Sequence, residues 1–162
     1  NLRKLLRGCT WDRLRYHHYQ AAGHRCECCA SERIPLGTPR NPSRLECHEE
    51  WEYDDEIRIQ KLVGLVALCS LCHQCKHIGR TLSVGGGKRA IRWLATVNEW
   101  SLRRTEMYIN AALVEHTIRS VGSEWLLDLS LLQSHPALTE QDRIDLPLGD
   151  SGIYMGGVGK GD

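Results

Sequence analysis

The chain has no Phe and only two Met among its 162 residues. It has almost no charge excess: 21 Lys and Arg against 20 Asp and Glu give +1, a balance that does not advertise a polyanionic partner. Long apolar runs are absent. The stretch Leu62 to Cys69 falls far short of a membrane span, so no membrane partner is expected. The opening Asn-Leu-Arg-Lys-Leu-Leu-Arg lacks the apolar region of a signal peptide. It also lacks a starting Met, which reads as a fragment or a trimmed chain. No internal repeat is evident. With 41% hydrophobic and 25% charged residues, collagen-like, coiled-coil and wholly disordered readings are excluded.

What is present in excess is Cys and His, eight of each. Four disulfides would suit a secreted protein, but the spacing argues for metal. Seven of the Cys lie from Cys26 to Cys75, and six of these form two knuckles, Cys26-Glu27-Cys28-Cys29 and Cys69-Ser70-Leu71-Cys72-His73-Gln74-Cys75. Zn²⁺ accepts four thiolates in a tetrahedron, and a C-x-x-C pair offers two from one turn. Cys26 and Cys29 form the first pair, Cys69 and Cys72 the second, with 39 residues between. A structural Zn²⁺ would staple a domain poor in aromatics, in a cytoplasmic, reducing setting. Cys28 can replace either partner of its pair, and Cys28 and Cys75 are taken as spare thiols.

The chain divides into four stretches. Residues 1–25 read as helical, with Thr10 as cap, Trp11, Leu14 and Tyr19 or Ala22 inward, and Gly23 as stop. The bases Arg3, Lys4, Arg7, Arg13 and Arg15 make either a solvated face or a phosphate-facing strip. Residues 26–80 carry the chemistry. A Pro- and Gly-marked loop over 30–43 leads to a strand over 44–54, with Leu45, Cys47, Glu49, Trp51 and Tyr53 on one side. Asp54-Asp55-Glu56 is the turn, and residues 57–68 the returning strand. A knuckle from Cys69 then opens a short helix closed by Gly79. Residues 81–132 read as an appendage. It holds an amphipathic helix around Ala90, Trp93, Leu94 and Val97, and a second helix capped by Ser101 with Tyr108, Ile109, Ala112 and Leu113 buried. A half-buried strand from Trp125 to Leu131 completes it. Residues 133–162, with six Gly between Gly149 and Gly161, read as a loosely held tail with little to bury.

Three histidines have chemical potential. His73 and His77 are four apart, so on one helix they share a face, which is a metal-ligand spacing. The other reading is that one of them completes the zinc shell. His48 lies mid-strand, and a neutral imidazole there can take a proton from water. A lone strand His is more often only packed or hydrogen-bonded.

Taken together, Cys26-x-x-Cys29, Leu45-Glu46-Cys47-His48-Glu49 and Ala67-Leu68-Cys69-Ser70-Leu71-Cys72-His73-Gln74-Cys75-Lys76-His77 resemble the HNH (His-Me finger, ββα-metal) endonucleases, over about a third of the chain. The resemblance implies an α+β fold with a ββα-metal core, stapled by the four-Cys zinc site and flanked by helices. It implies a phosphodiester hydrolase acting on nucleic acid, double-stranded DNA being the expected partner. His48 would be the general base, and His73 and His77 would hold a catalytic divalent cation (Mg²⁺, Mn²⁺, Ni²⁺ or Zn²⁺).

Two features depart from that family. Cys47 stands where many members carry Asp or His, and no Asn precedes Leu68-Cys69. Cys47, a ligand suited to a soft or borderline ion, is therefore expected in the cation shell. Seven of residues 46–56 are acidic, an exposed hairpin tip unless Glu49 or Glu46 replaces the missing carboxylate ligand. Lys76, Arg80, Lys88 and Arg89 are the expected phosphate contacts. The alternative function is a catalytically inactive zinc-stapled domain that binds nucleic acid or another protein, and either can belong to a larger effector.

Overall fold

In the computed structural model, residues 1–30, 45–122, 124–146, 148 and 152–154 are described. The chain is a mixed α+β protein with a four-stranded sheet. It divides into two units, and the division does not follow contiguous segments of sequence. The first comprises Asn1–Ala21, Cys47–Val66 and Gly122–Asp162, the second Ala22–Glu46 and Ala67–Val121. The expected block 26–80 is thus shared between both, because its two strands each run from one unit into the other. No helix among the described residues is long and apolar enough to cross a membrane.

The sheet has the order β1 (Glu46–Asp54), β2 (Ile59–Leu68), β3 (Leu126–Asp128), β4 (Ile153–Tyr154). β2 and β3 pair in parallel, with Ile59 opposite Leu126, and β3 and β4 pair antiparallel, with Asp128 opposite Ile153. The turn between β1 and β2 is built by Asp54, whose Oδ1 accepts the backbone N–H groups of Glu56 and Ile57, both at 3.1 Å. Arg58 closes it in the left-handed region, at φ +57°.

The first unit packs leucines from every part of its sequence. Leu2 and Leu14 come from α1 (Leu2–Leu5) and α2 (Gly8–Ala21), Leu62 and Leu65 from β2, and Leu129 and Leu132 from the β3 region. Three expectations change here. Thr10 does not cap α2. It lies inside that helix, 3% exposed, and its hydroxyl donates to Asp142 at 2.7 Å. The strand expected to reach Leu131 stops at Asp128, whose Oδ1 accepts the Ser130 N–H at 2.9 Å and starts α7 (Ser130–Gln133). Residues 133–146 are no loose tail. Leu138 and Leu146 join the core, and α8 (Glu140–Ile144) opens with a capping box between Thr139 and Asp142. The Gly-rich positions 149–151 and 155–162, and the loop over 31–43, lie outside the described residues.

In the second unit, α3 (Ser70–Lys76) and α4 (Ile78–Ser83) pack on α5 (Gly87–Val97), which also packs on α6 (Leu102–Ser120). Ser101 caps α6, accepting the Arg104 N–H at 3.2 Å. Ile109 is buried as its spacing suggests. Tyr108 is not: its ring lies 5.1 Å from that of Trp100, outside the apolar seam, and it is 55% exposed.

Candidate metal centre

Four cysteines of the second unit converge. Cys26 and Cys29 sit on the turn after α2, where the Ala30 N–H returns to the Cys26 carbonyl at 3.0 Å. That turn is fastened beside the end of β2: Glu27 N–H donates to the Ala67 carbonyl at 2.9 Å, and Ala67 N–H to Glu27 Oε2 at 2.6 Å. Cys69 is the residue before α3, and Cys72 lies one turn into it. The four Sγ atoms all lie within 4.8 Å of one another, and Cys29 and Cys69 are 3.9 Å apart. Tetrahedral coordination with Zn–S bonds near 2.3 Å needs sulfurs about 3.8 Å apart. The donor set and its spacing therefore fit a structural metal such as zinc.

The electrostatics agree. The thiol hydrogen bond from Cys72 pushes the Cys26 thiol down to about 4. Burial pushes Cys69 up to about 11, and the bond to Cys26 raises Cys72. One thiolate is thus held by its neighbours' protons. A bound cation would supply the positive charge those protons supply, and would let all four sulfurs ionise. Trp93 on α5 adds a donor, its Nε1–H reaching Cys72 Sγ at 3.2 Å. In the sequence Trp93 is an apolar position of an amphipathic helix. Nothing in its spacing marks it as a partner of the thiol.

The remaining thiols of the two knuckles lie apart from this group. Cys28 is exposed. Cys75 faces α5, where its thiol donates to the Ala90 carbonyl at 3.4 Å, and burial pushes it up to about 11.

A second group of ionisable side chains adjoins α3 in the same unit. The short helix expected to close at Gly79 instead breaks at His77, which ends α3 and begins α4 with φ −98° and ψ 44°, and α4 runs on through Gly79. The His77 N–H still reaches the His73 carbonyl at 3.0 Å, and the two rings meet edge to face with centroids 4.6 Å apart. His73 Nδ1 lies 2.9 Å from Glu46 Oε2 at the start of β1.

Strand alternation decides which β1 side chains can accompany Glu46. Glu46, His48 and Glu50 share one face, and Cys47, Glu49 and Trp51 the other. Cys47 and Trp51 pack against the leucine core of the first unit. Glu49 Oε1 accepts the Leu2 N–H at 2.7 Å. Cys47 and Glu49, expected as cation ligands, are therefore corrected to structural positions, and Glu46 is the carboxylate that meets His73.

Lys76, Arg80, Lys88 and Arg89 are all exposed on α3, α4 and α5. The basic strip of the leading segment is different. Arg7 pairs with Asp145 at 2.9 Å, Arg13 with Asp142 at 2.8 Å and Arg15 with Asp12 at 2.7 Å, so those charges are engaged within their own unit. No family model, curated protein or solved structure matches this chain.

Proposed function

We propose that the chain is a metal-dependent endonuclease of the HNH, ββα-metal kind, acting on nucleic acid, with double-stranded DNA as its substrate. The observation that carries this reading is the His73–His77 pair. It is placed by the helix that Cys72 anchors, with His73 tied to a carboxylate. His73 and His77, whose rings meet at the end of α3, are imidazoles of a kind that can hold a divalent cation. Such a cation, when bound, would neutralise charge on the scissile phosphate and the leaving oxygen. In this reading His73 and His77 are ligands. His48 is the general base, its neutral imidazole taking the proton from the attacking water. Lys76, Arg80, Lys88 and Arg89 offer exposed charge for the phosphate backbone. Zinc at the four Cys would hold α3 in place.

The test is a supercoiled-plasmid assay with Mg²⁺, Mn²⁺, Ni²⁺ or Zn²⁺. The expected result is nicked or linear product in at least one cation. His48→Ala should lower the rate roughly 10²–10⁴-fold while DNA affinity is kept. Binding with no cleavage in any cation would leave the inactive nucleic-acid-binding domain as the reading, and no binding would leave the protein-interaction scaffold. Loss of the second cation in His48→Ala would make His48 a ligand.

A further inference from the structure

We infer that Glu46 is a positioning residue for His73: it fixes the tautomer and ring orientation in which His73 offers Nε2 to a cation. This rests on the reading of His73 as a ligand, and it gives Glu46 a role distinct from that of a direct ligand. A neutral imidazole carries one proton, on either nitrogen, and a metal binds the nitrogen without it. In this structure His73 Nδ1 lies 2.9 Å from Glu46 Oε2, so the Nδ1–H donates to the carboxylate. The lone pair is then on Nε2.

The neighbours restrict the ring further. Its backbone belongs to α3, with the His73 N–H bonded to the Cys69 carbonyl at 2.9 Å. The His77 ring stands edge-on to it at 4.6 Å, with an interplanar angle of 75°. Helix, carboxylate and second ring together leave His73 little rotational freedom, which is the arrangement that carboxylate–histidine–metal sites use. A carboxylate acceptor also makes the imidazole a stronger donor to a cation than a free ring would be. His73 is partly shielded, with 22% of its side chain exposed against 40% for Glu46.

The test uses the whole chain with its structural metal. In unloaded wild type, nitrogen-detected NMR of the His73 ring should show the Nδ1–H tautomer, and Glu46→Ala should shift it toward the Nε2–H form. Titration with Mn²⁺ or Zn²⁺ should show one site beyond the four-Cys metal, weakened roughly 10- to 100-fold in Glu46→Ala. Glu46→Gln keeps an acceptor oxygen without the charge, and should fall between the two. The four-Cys metal and the melting temperature should stay as in wild type. If wild type and Glu46→Ala share one tautomer and one affinity, the inference is overturned. If wild type shows the Nδ1–H tautomer but no second cation site, the nuclease reading fails and the Glu46–His73 orientation stands.

Discussion

Trp93 donates its indole N–H to Cys72 Sγ at 3.2 Å, from a helix 21 positions further along the chain. Hydrogen bonds to thiolates stabilise the ionised ligand and fix its direction. Trp93→Phe should keep the apolar packing of α5 on α3 and lose only the donor. The expected outcome is a structural metal held roughly 10- to 100-fold less tightly. A chelator competition series on the two proteins checks this. Equal retention would make Trp93 a packing residue alone.

The four thiols make a second, coarser prediction. Cys69→Ser and Cys26→Ser each remove one ligand. Structural zinc can be worth on the order of 10 kcal/mol, comparable with the whole stability of a domain. Both variants should lose bound metal by elemental analysis, and the second unit should melt well below wild type. Cys28→Ser, at an exposed thiol outside the group, is the control and should change neither measurement.

Asp142 joins the ends of the first unit. Its carboxylate accepts from Thr10 Oγ1 at 2.7 Å, Arg13 Nη2 at 2.8 Å and Thr139 N–H at 2.9 Å, and it is 4% exposed. The Arg13 hydrogen bond is the largest of the causes that hold its pKa far below the usual carboxylate range. Its contribution is therefore fully present above the unfolded carboxyl pKa near 4, and neutral pH leaves it intact. Asp142→Asn should cost about 1–3 kcal/mol by leaving buried donors poorly satisfied. Denaturant unfolding at pH 7 measures it.

A second pH-dependent group of the first unit is His135. Its ring is 7% exposed, its Nδ1 accepts the Ala137 N–H at 3.2 Å, and its Nε2 lies 3.1 Å from that of His18. Burial first, then the charges of His18, His17 and Arg143, push it down to about 4. An unfolded His takes its proton near 6.5. Between those values the unfolded chain binds a proton that the folded chain refuses. Stability should thus be full above about pH 6.5, fall on acidification by up to about 1.4 kcal/mol per unit, and level off below about 4. His135→Gln should flatten that part of a melting-temperature profile. An unchanged slope would assign the acid response to other groups.

The legible part of this protein is the part written in local spacing. Two C-x-x-C pairs announce four thiols that meet, and the alternation around Trp51 and the apolar run ending at Leu68 announce two strands. The Ser101 cap and the Ala90–Val97 periodicity mark helices that form where expected. What the sequence concealed is decided by tertiary partners. Cys47 and Glu49 flank His48 in the chain, yet period-two alternation turns them to the opposite face. Residue adjacency suggested ligands where strand parity forbids them. Thr10 has the composition of a cap, but Asp142, 132 positions away, takes its hydroxyl. The apolar positions of 133–146 are too sparse for a periodic signal, and only the core shows where Leu138 and Leu146 belong.

Cys29 and Cys69 are separated by 40 positions along the chain. A metal shared by the two knuckles would make the intervening backbone a closed ring. The entropy of closing such a ring grows only with the logarithm of its length, so doubling it costs about 0.6 kcal/mol. A longer ring would then burden folding far less than one substitution at a ligand sulfur. The ring gives the chain a place to lengthen while the clasp that closes it stays the same.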